Sequence, residues 1–463
     1  MERKFLDAVR TVCNTCSKLV QGSIFIEDNK VVMDKFCPEH GKTEGLISSD
    51  AHYYLDSLSY LKAGSMPDEF QVKTEKGCPS DCGFCPEHEQ HICMPVIEIT
   101  DLCDLSCPVC IADTKNSGEM DMEVLKGLVQ KLIAAEGTID VLNLSGGEPT
   151  IHPRYREIIA YLRSVPEIHR VSVSTNGLSL LREPELLKFH KDNNIIISLQ
   201  FDGFQPETYL SLRGNDLAAE KMKLLNLLTE ENVTASLIMT VAGGINDTEI
   251  ASVFTEFMQR PNLVSLMFQP FASAGRGGNF QKTVFRATIP DVIKNIVAGS
   301  DGLLQKEDFT PLPCCHPECF TLTYLLGTED GEFIPMKRLL KTGDYLDIIR
   351  NRSFFGTDED SFERIKELVY DLWSAPAAAF PENEKVLKSV KGILKEISAA
   401  GEFSADRAIR IAERKIKSVF IHQFMDRQTF DVSRVRRCCT VYPKEDGKFY
   451  PVCSYNIMHR GKE

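Results

Sequence analysis

Two copies of one spacing, Cys-x3-Cys-x2-Cys, stand close together in this chain: Cys78, Cys82 and Cys85, then Cys103, Cys107 and Cys110. A cubane of four irons and four sulfides needs a ligand on every iron, so four thiolates fill it while three leave one iron open. Cys93 follows the first copy and brings it to four; the second copy has no fourth cysteine beside it. The spacing therefore predicts a closed cluster on Cys78, Cys82, Cys85 and Cys93, and an open, reactive one on Cys103, Cys107 and Cys110.

Two further groups carry metal-binding spacings. Cys13 and Cys16, then Cys37 and His40, flank residues 22–36, which read as two short strands around a Glu-Asp-Asn turn. Two knuckles joined by a hairpin is the plan of a zinc ribbon or a rubredoxin, with one mononuclear zinc or iron; His40 is either its fourth ligand or a turn residue. Late in the chain stand Cys314, Cys315 and Cys319, then Cys438, Cys439 and Cys453. The set expected to hold a further cluster is Cys314, Cys319, Cys438 and Cys453, with Cys315 and Cys439 as buried neighbours.

The chain has 463 residues, enough for two to four domains. Its first residues lack the apolar core of a signal peptide, and no apolar run approaches the roughly 18 residues that span a bilayer. The expectation is a cytoplasmic protein, where structural disulfides are rare and its 16 cysteines read as metal ligands. A net charge of -13 argues against a general nucleic-acid binder.

The elements that must position these residues begin at Met94. Apolar strands at 95–100, 139–144, 171–174, 195–200, 234–241 and 264–269 alternate with helical stretches around 121–135, 153–164, 182–191, 215–230 and 247–259. Six βα units predict an α/β fold, a partial (β/α)6 TIM-like barrel whose ligands sit at the C-terminal strand ends. Residues 1–70 form a small metal-binding domain in this reading, 71–93 an auxiliary-cluster segment, 94–290 the barrel, and 291–463 a helical region with a second auxiliary cluster. Within the last, 344–418 reads as helical, notably 362–373 and 383–397, and covers the open side of the barrel.

Motifs follow the strands in order: Cys103 to Cys110, then Gly146-Gly147-Glu148, then Ser174-Thr175-Asn176-Gly177, then Gln200-Phe201-Asp202. Together they resemble the radical S-adenosylmethionine (SAM) superfamily over roughly residues 94 to 275. The resemblance implies that SAM chelates the open iron and is cleaved to a 5'-deoxyadenosyl radical. It places Gly146, Gly147 and Glu148 at the amino group of the methionine moiety, Gly146 and Gly147 offering unobstructed backbone and Glu148 an anionic acceptor. Ser174 and Asn176 would reach the ribose or carboxylate, with Gln200 and Asp202 as weaker candidates. The superfamily's aromatic residue before the third cysteine is matched by Phe84, whereas the second copy has Val109. Context still favours the second copy, because it follows a strand and precedes Gly-Gly-Glu by one helix and one strand. His88 and His91 could replace a ligand of the first copy but read more simply as loop residues.

Across nearly the full chain, the N-terminal Cys-Pro-Glu-His-Gly, Gly-Cys-Pro-x2-Cys-Gly-x-Cys-Pro, Cys-Asp-Leu-Ser-Cys-Pro-x-Cys, Pro-Cys-x-His-Pro-x-Cys and final Pro-x-Cys-x-Tyr-Asn are similar to the tetraether lipid synthase family. Some of its members also carry the name pterin methyltransferase. That resemblance implies three 4Fe-4S clusters, one rubredoxin-like site, a lipid substrate, peripheral membrane contact, and an electron donor such as ferredoxin or flavodoxin. The activity would be coupling of unactivated terminal carbons of two alkyl chains. Three function classes stay open: lipid coupling, radical modification of a pterin or peptide, and an iron-sulfur electron carrier, which would leave the Gly-Gly-Glu and Asn-Gly segments without a role. A long, dry channel above the SAM site would favour lipid, and a short polar one a pterin.

Overall fold

The structure is a computed structural model and describes residues 3–112, 118–352, 363, 364, 367, 383–398 and 405–461. Most of 362–373 lies outside them.

Four antiparallel strands, β1 (Lys4–Val12), β2 (Leu19–Glu27), β3 (Lys30–Cys37) and β4 (Gly41–Ser48), form an N-terminal sheet in the order β1-β2-β3-β4. Only the two inner strands were legible as a hairpin. β1 and β4 carry one buried face each among charged and polar residues, so their alternation is weak. The turns β1–β2 and β3–β4 lie at the same end of the sheet, which brings Cys13 and Cys16 to Cys37 and His40.

The six expected strands are present as β5 (Met94–Thr100), β6 (Ile139–Gly146), β7 (Ile168–Thr175), β8 (Ile196–Gln200), β9 (Ala235–Val241) and β10 (Leu263–Pro270), each parallel to the next. Amphipathic helices cover their outer faces. The helix Met122–Glu136 shows how the sequence sets one: the Asp121 carboxylate accepts from Glu123 N at 2.8 Å, Leu125, Leu128, Val129 and Leu132 repeat on one buried face, and Gly137 ends it at φ 68°.

Further strands are β11 (Thr310–Pro311), β12 (Phe320–Gly327), β13 (Phe333–Pro335), β14 (Ile416–His422), β15 (Thr440–Pro443) and β16 (Phe449–Pro451). The C-terminal region was expected to be helical. It does supply the helices Thr342–Ile349, Asn383–Ser398 and Ala405–Lys415, but it also extends the sheet on both sides, with β14 parallel to β10 and β15 parallel to β5. The run β15-β5-β6-β7-β8-β9-β10-β14 is thus parallel throughout, and the helix Ala405–Lys415 meets the end opposite the cysteine loop rather than covering its mouth.

Lys417 fixes β14 in place. Its buried ammonium donates to Phe257 O at 2.9 Å, Arg260 O at 2.7 Å and Leu263 O at 2.8 Å, carbonyls gathered where the helix Ile250–Gln259 ends. Burial pulls its pKa down to about 7. Lys417→Met, which keeps the length and removes the donors, is expected to lower stability by about 3 kcal/mol, read as a lower midpoint in urea unfolding of the anaerobic protein.

Candidate radical-cluster and substrate site

The cysteine loop leaves the end of β5, and the glycines at the end of β6 press against it. Gly147 N donates to Thr100 O and Glu148 N to Leu102 O, both at 2.7 Å. A Cβ on Gly146, whose φ is 123°, would lie 2.1 Å from Thr100 O, and one on Gly147 would lie 1.9 Å from Leu102 O. Only glycine allows that approach. The pair was expected to leave its backbone free for a ligand; two of the segment's amides are instead used to staple the cysteine loop.

Glu148 is held by the protein in the same way. Its carboxylate is 1% exposed, and Oε1 accepts from Thr150 N, Thr150 Oγ1 and Thr175 Oγ1 at 3.2, 2.6 and 2.7 Å while Oε2 accepts from Asn176 N at 2.7 Å. It locks the ends of β6 and β7 together, and Oε2, with a single donor, is the oxygen left for a ligand. Burial raises its pKa, and these donors oppose the rise.

Asn176 gives its amide to Asp104 Oδ1 at 2.6 Å, tying β7 to the cysteine loop, and Ser174 Oγ donates to Asn143 Oδ1 at 3.1 Å. Gln200 accepts from Lys221 Nζ at 2.8 Å. Asp202 does not line the cavity: it is fully buried and holds Arg213, with Nε–Oδ2 at 2.6 Å and Nη2–Oδ1 at 2.8 Å. Arg213, not Asp202, faces the cavity and hydrogen-bonds the Cys107 thiol. Sequence reasoning missed Arg213 and Lys221, since neither belongs to a spacing motif. Burial opposes the Arg213 charge, but Asp202 and Cys107 outweigh it and raise its pKa. Lys221 Nζ also caps Asn176 O and Gln200 O, and burial brings its pKa down to about 7.

Cys103, Cys107 and Cys110 are half-buried and line one end of a cavity of about 400 Å3 inside the parallel strands. Three thiols on one loop, a glycine cradle and a buried cation at Cys107 fit an iron-sulfur cluster with an open position. From there the cavity runs down the barrel axis. Ser174, Ser198, Ser236, Ser265 and Ser418 are register neighbours on five adjacent strands and all line it. Below this belt come Val141, Ile196, Val264 and Ile416. Glu413 lies at the floor, held to the buried Arg170 by two contacts of 2.8 and 2.9 Å. From Ser145 to Val141 the lumen spans about 13 Å of strand.

The structure groups the remaining thiols differently from their spacing. Cys93 does not sit with Cys78, Cys82 and Cys85. It hydrogen-bonds Cys314 and Cys439, and Cys315 Sγ lies 3.1 Å from Cys439 Sγ and also meets Cys314, so these four close on one another. Cys315 and Cys439, expected to be bystanders, belong to this set. Cys314 lies outside the wall of a second, smaller cavity of about 80 Å3, which holds Cys319, Cys438 and Cys453 beside Cys93, Cys315 and Cys439. Cys78, Cys82 and Cys85 stay together, with Cys78 in the same apolar cluster as Cys453. Both Cys-x3-Cys-x2-Cys copies are therefore groups of three. Phe84, the superfamily's aromatic position in the first copy, packs on His88 and Phe449 away from the lumen, and His88 Nε2 bonds Cys438 O at 2.7 Å. His91 is no free loop residue either: it spans Glu136 at 2.9 Å and Asn351 O at 3.1 Å, beside Cys93.

In the N-terminal sheet one ligand atom each from Cys13, Cys16, Cys37 and His40 lie within 4.8 Å of one another. Tetrahedral zinc with Zn–S near 2.3 Å sets its ligands about 3.8 Å apart, so the set fits. Burial works against a Cys13 thiolate, but backbone amides of Cys16 and Thr15 and the Cys16 and Cys37 thiols bring its pKa down to about 6.

If the staple positions the cysteine loop, Gly147→Ala displaces it by more than an ångström. Cleavage of SAM to 5'-deoxyadenosine is then expected to fall about 100-fold or more, with the far-UV circular dichroism spectrum unchanged.

The chain matches the family model of the radical SAM superfamily over residues 97–257 and that of the HMPTM N-terminal zinc ribbon domain over residues 5–49. It is 30% identical to the 7,8-dihydro-6-hydroxymethylpterin dimethyltransferase of Methanocaldococcus jannaschii, over 99% of this chain and 94% of that one. It is 32% identical to the GTP 3',8-cyclase of Syntrophomonas wolfei over 35% of this chain and 51% of the relative. Among solved structures, Streptococcus suis SuiB bound to S-adenosylmethionine aligns over 47% of this chain and 49% of that chain, at 14% identity and a TM-score of 0.39.

Proposed function

Because the chain belongs to the radical SAM superfamily, and along its whole length to the family of the Methanocaldococcus jannaschii relative, we propose that it joins unactivated terminal carbons of lipid alkyl chains. The observation that carries this reading is the lumen. It descends about 13 Å from the cysteine loop past the aliphatic side chains of Val141, Ile196, Val264 and Ile416 to a floor at Glu413, which is paired with Arg170. The hydroxyls on the way are largely matched within the wall: Ser236 Oγ with Ser265 Oγ at 2.6 Å, and Asn143 with Ser172 and Ser174 at 2.7 and 3.1 Å. Pairing of this kind lowers the cost of laying an alkyl chain against these four hydroxyls.

A SAM-bound cluster supplies hydrogen abstraction strong enough for an unactivated carbon, chemistry that belongs to the cofactor. This chain's residues prepare the site for it. Cys103, Cys107 and Cys110 would ligate the cluster, Gly146 and Gly147 hold their loop, and Arg213 offers a fixed positive charge beside Cys107 for the carboxylate of SAM. The protein walls shield the site from water. Three clusters in all would leave two to be held among the other three thiol groups, supplied with electrons by a small carrier such as ferredoxin or flavodoxin. No helix among the described residues is long and apolar enough to cross a membrane, so access to lipid would be peripheral.

A second reading, methylation of a pterin, is favoured by the serine belt, which could hydrogen-bond a flat heterocycle, and by the name of the M. jannaschii relative. Mass spectrometry separates the two. Anaerobically reconstituted protein given SAM, dithionite and phospholipids is expected to form two 5'-deoxyadenosines per product and a coupled lipid lighter by two hydrogens. Methylated product alone, with no coupled lipid, overturns the lipid reading.

A further inference from the structure

Arg434 is a buried cation that the functional reading above does not use. Its side chain is 1% exposed, and it lies in the wall of the smaller cavity with Cys319, Cys438 and Cys453. Nε donates to Cys319 Sγ at 3.2 Å, and Nη2 donates to Glu318 O at 3.2 Å and to Gln423 O at 2.7 Å. Nη1 has no hydrogen-bond partner among the described residues; Glu318 Oε2 stands 3.5 Å from it, and Glu318 Oε1 is itself unmatched.

A fully buried guanidinium with an unmatched nitrogen is costly unless an anion completes its surroundings. A single carboxylate at 3.5 Å, without hydrogen-bond geometry, does this poorly. The other groups around it are thiols: Cys319 is in direct contact, and Cys453 also acts on the guanidinium electrostatically. Thiolates carrying iron and sulfide form an anionic assembly whose sulfurs accept hydrogen bonds, and such bonds together with nearby charge set its reduction potential.

We propose that Arg434 is a positioning residue for an iron-sulfur cluster held by Cys319, Cys438 and Cys453, donating to the ligand Cys319 and to cluster sulfur through Nη1, and making that cluster easier to reduce than it would be without the charge. The added electron increases the negative charge of the cluster, so a fixed cation stabilises the reduced form more than the oxidised form. The group beside Cys93 meets His91, which is paired with Glu136, and also Gln90 and Asn351. An electron held on this cluster would stand next to the substrate lumen, since the two cavities share Met267, Phe420, His422 and Thr440 in their walls.

This inference rests on the reading that the auxiliary thiols hold clusters, which iron and sulfide analysis of the wild-type protein tests separately. The test itself is a dithionite titration of the reconstituted protein followed by electron paramagnetic resonance. Arg434→Gln, which keeps donors and removes the charge, is expected to move one midpoint to a more negative potential and leave the others in place, with Arg434→Lys closer to wild type. Loss of about four irons from the Gln variant but not from the Lys variant equally supports the proposal. Unchanged midpoints with full iron content overturn it. Wild-type protein grown on 15N-arginine covers the case in which neither variant folds: a guanidinium nitrogen coupling to one reduced cluster is expected in pulsed spectra, and its absence overturns the proposal.

Discussion

The contact on which the site depends is between two pieces of main chain. Thr100 O and Leu102 O accept from Gly147 N and Glu148 N, and side chains at 146 or 147 would occupy the space these bonds need. The ends of β5, β6 and β7 are registered on that contact. Glu148, immediately after it, gathers Thr150, Thr175 and Asn176, and Asn176 returns to Asp104 in the cysteine loop. The loop is thus held from β6 and β7 at once. A motif that sequence alone reads as a ligand contact is at least as much a device for fixing three thiols in space.

The second organising constraint is the pairing of thiols far apart in the chain. Cys93 precedes β5 and Cys439 precedes β15, the two strands that pair in parallel at Met94 and Pro95. Cys314 and Cys315 lie between β11 and β12 on the other flank of the sheet. One set of four thiols therefore joins both flanks of the parallel run, as a covalent metal-sulfur group would. Extending the sheet from the C-terminal region and closing it through cysteines are two aspects of one arrangement, which explains why neither is apparent from local sequence.

Legibility followed that difference between local and long-range order. The strands β5 to β10, their helices and the motifs at their ends were readable because each is encoded within a window of about 15 residues by period and by strand-end position. The grouping of Cys13, Cys16 and Cys37 was readable because two knuckles bracket one hairpin, with His40 left open between ligand and turn residue; the structure brings all four together. The ligand set given to Cys93 failed because proximity in sequence was taken as proximity in space; eight residues from Cys85 to Cys93 are enough for the chain to leave one group and reach another. Arg213 stayed hidden behind Asp202, the residue named in its place, since an arginine after a short helix carries no periodic signal. β14 was absorbed into a helical reading because its neighbours on either side, Ala405–Lys415 and the loop after His422, supply no turn signal as strong as Gly or Pro.

The lumen bears most directly on substrate class. Parallel barrels fill their interiors with layers of bulky branched side chains. Here one layer is replaced by five serines in register, while the layer beneath returns to Val141, Ile196, Val264 and Ile416 and is closed by Arg170 and Glu413. The small layer creates space at the level of the site, and the ion pair beneath stops it from becoming a pore. A buried ion pair adds little stability over an apolar pair of similar shape. Its value in this position is geometric: two planar groups in bidentate contact define a fixed floor, and the depth above that floor limits how much of a substrate the barrel can enclose.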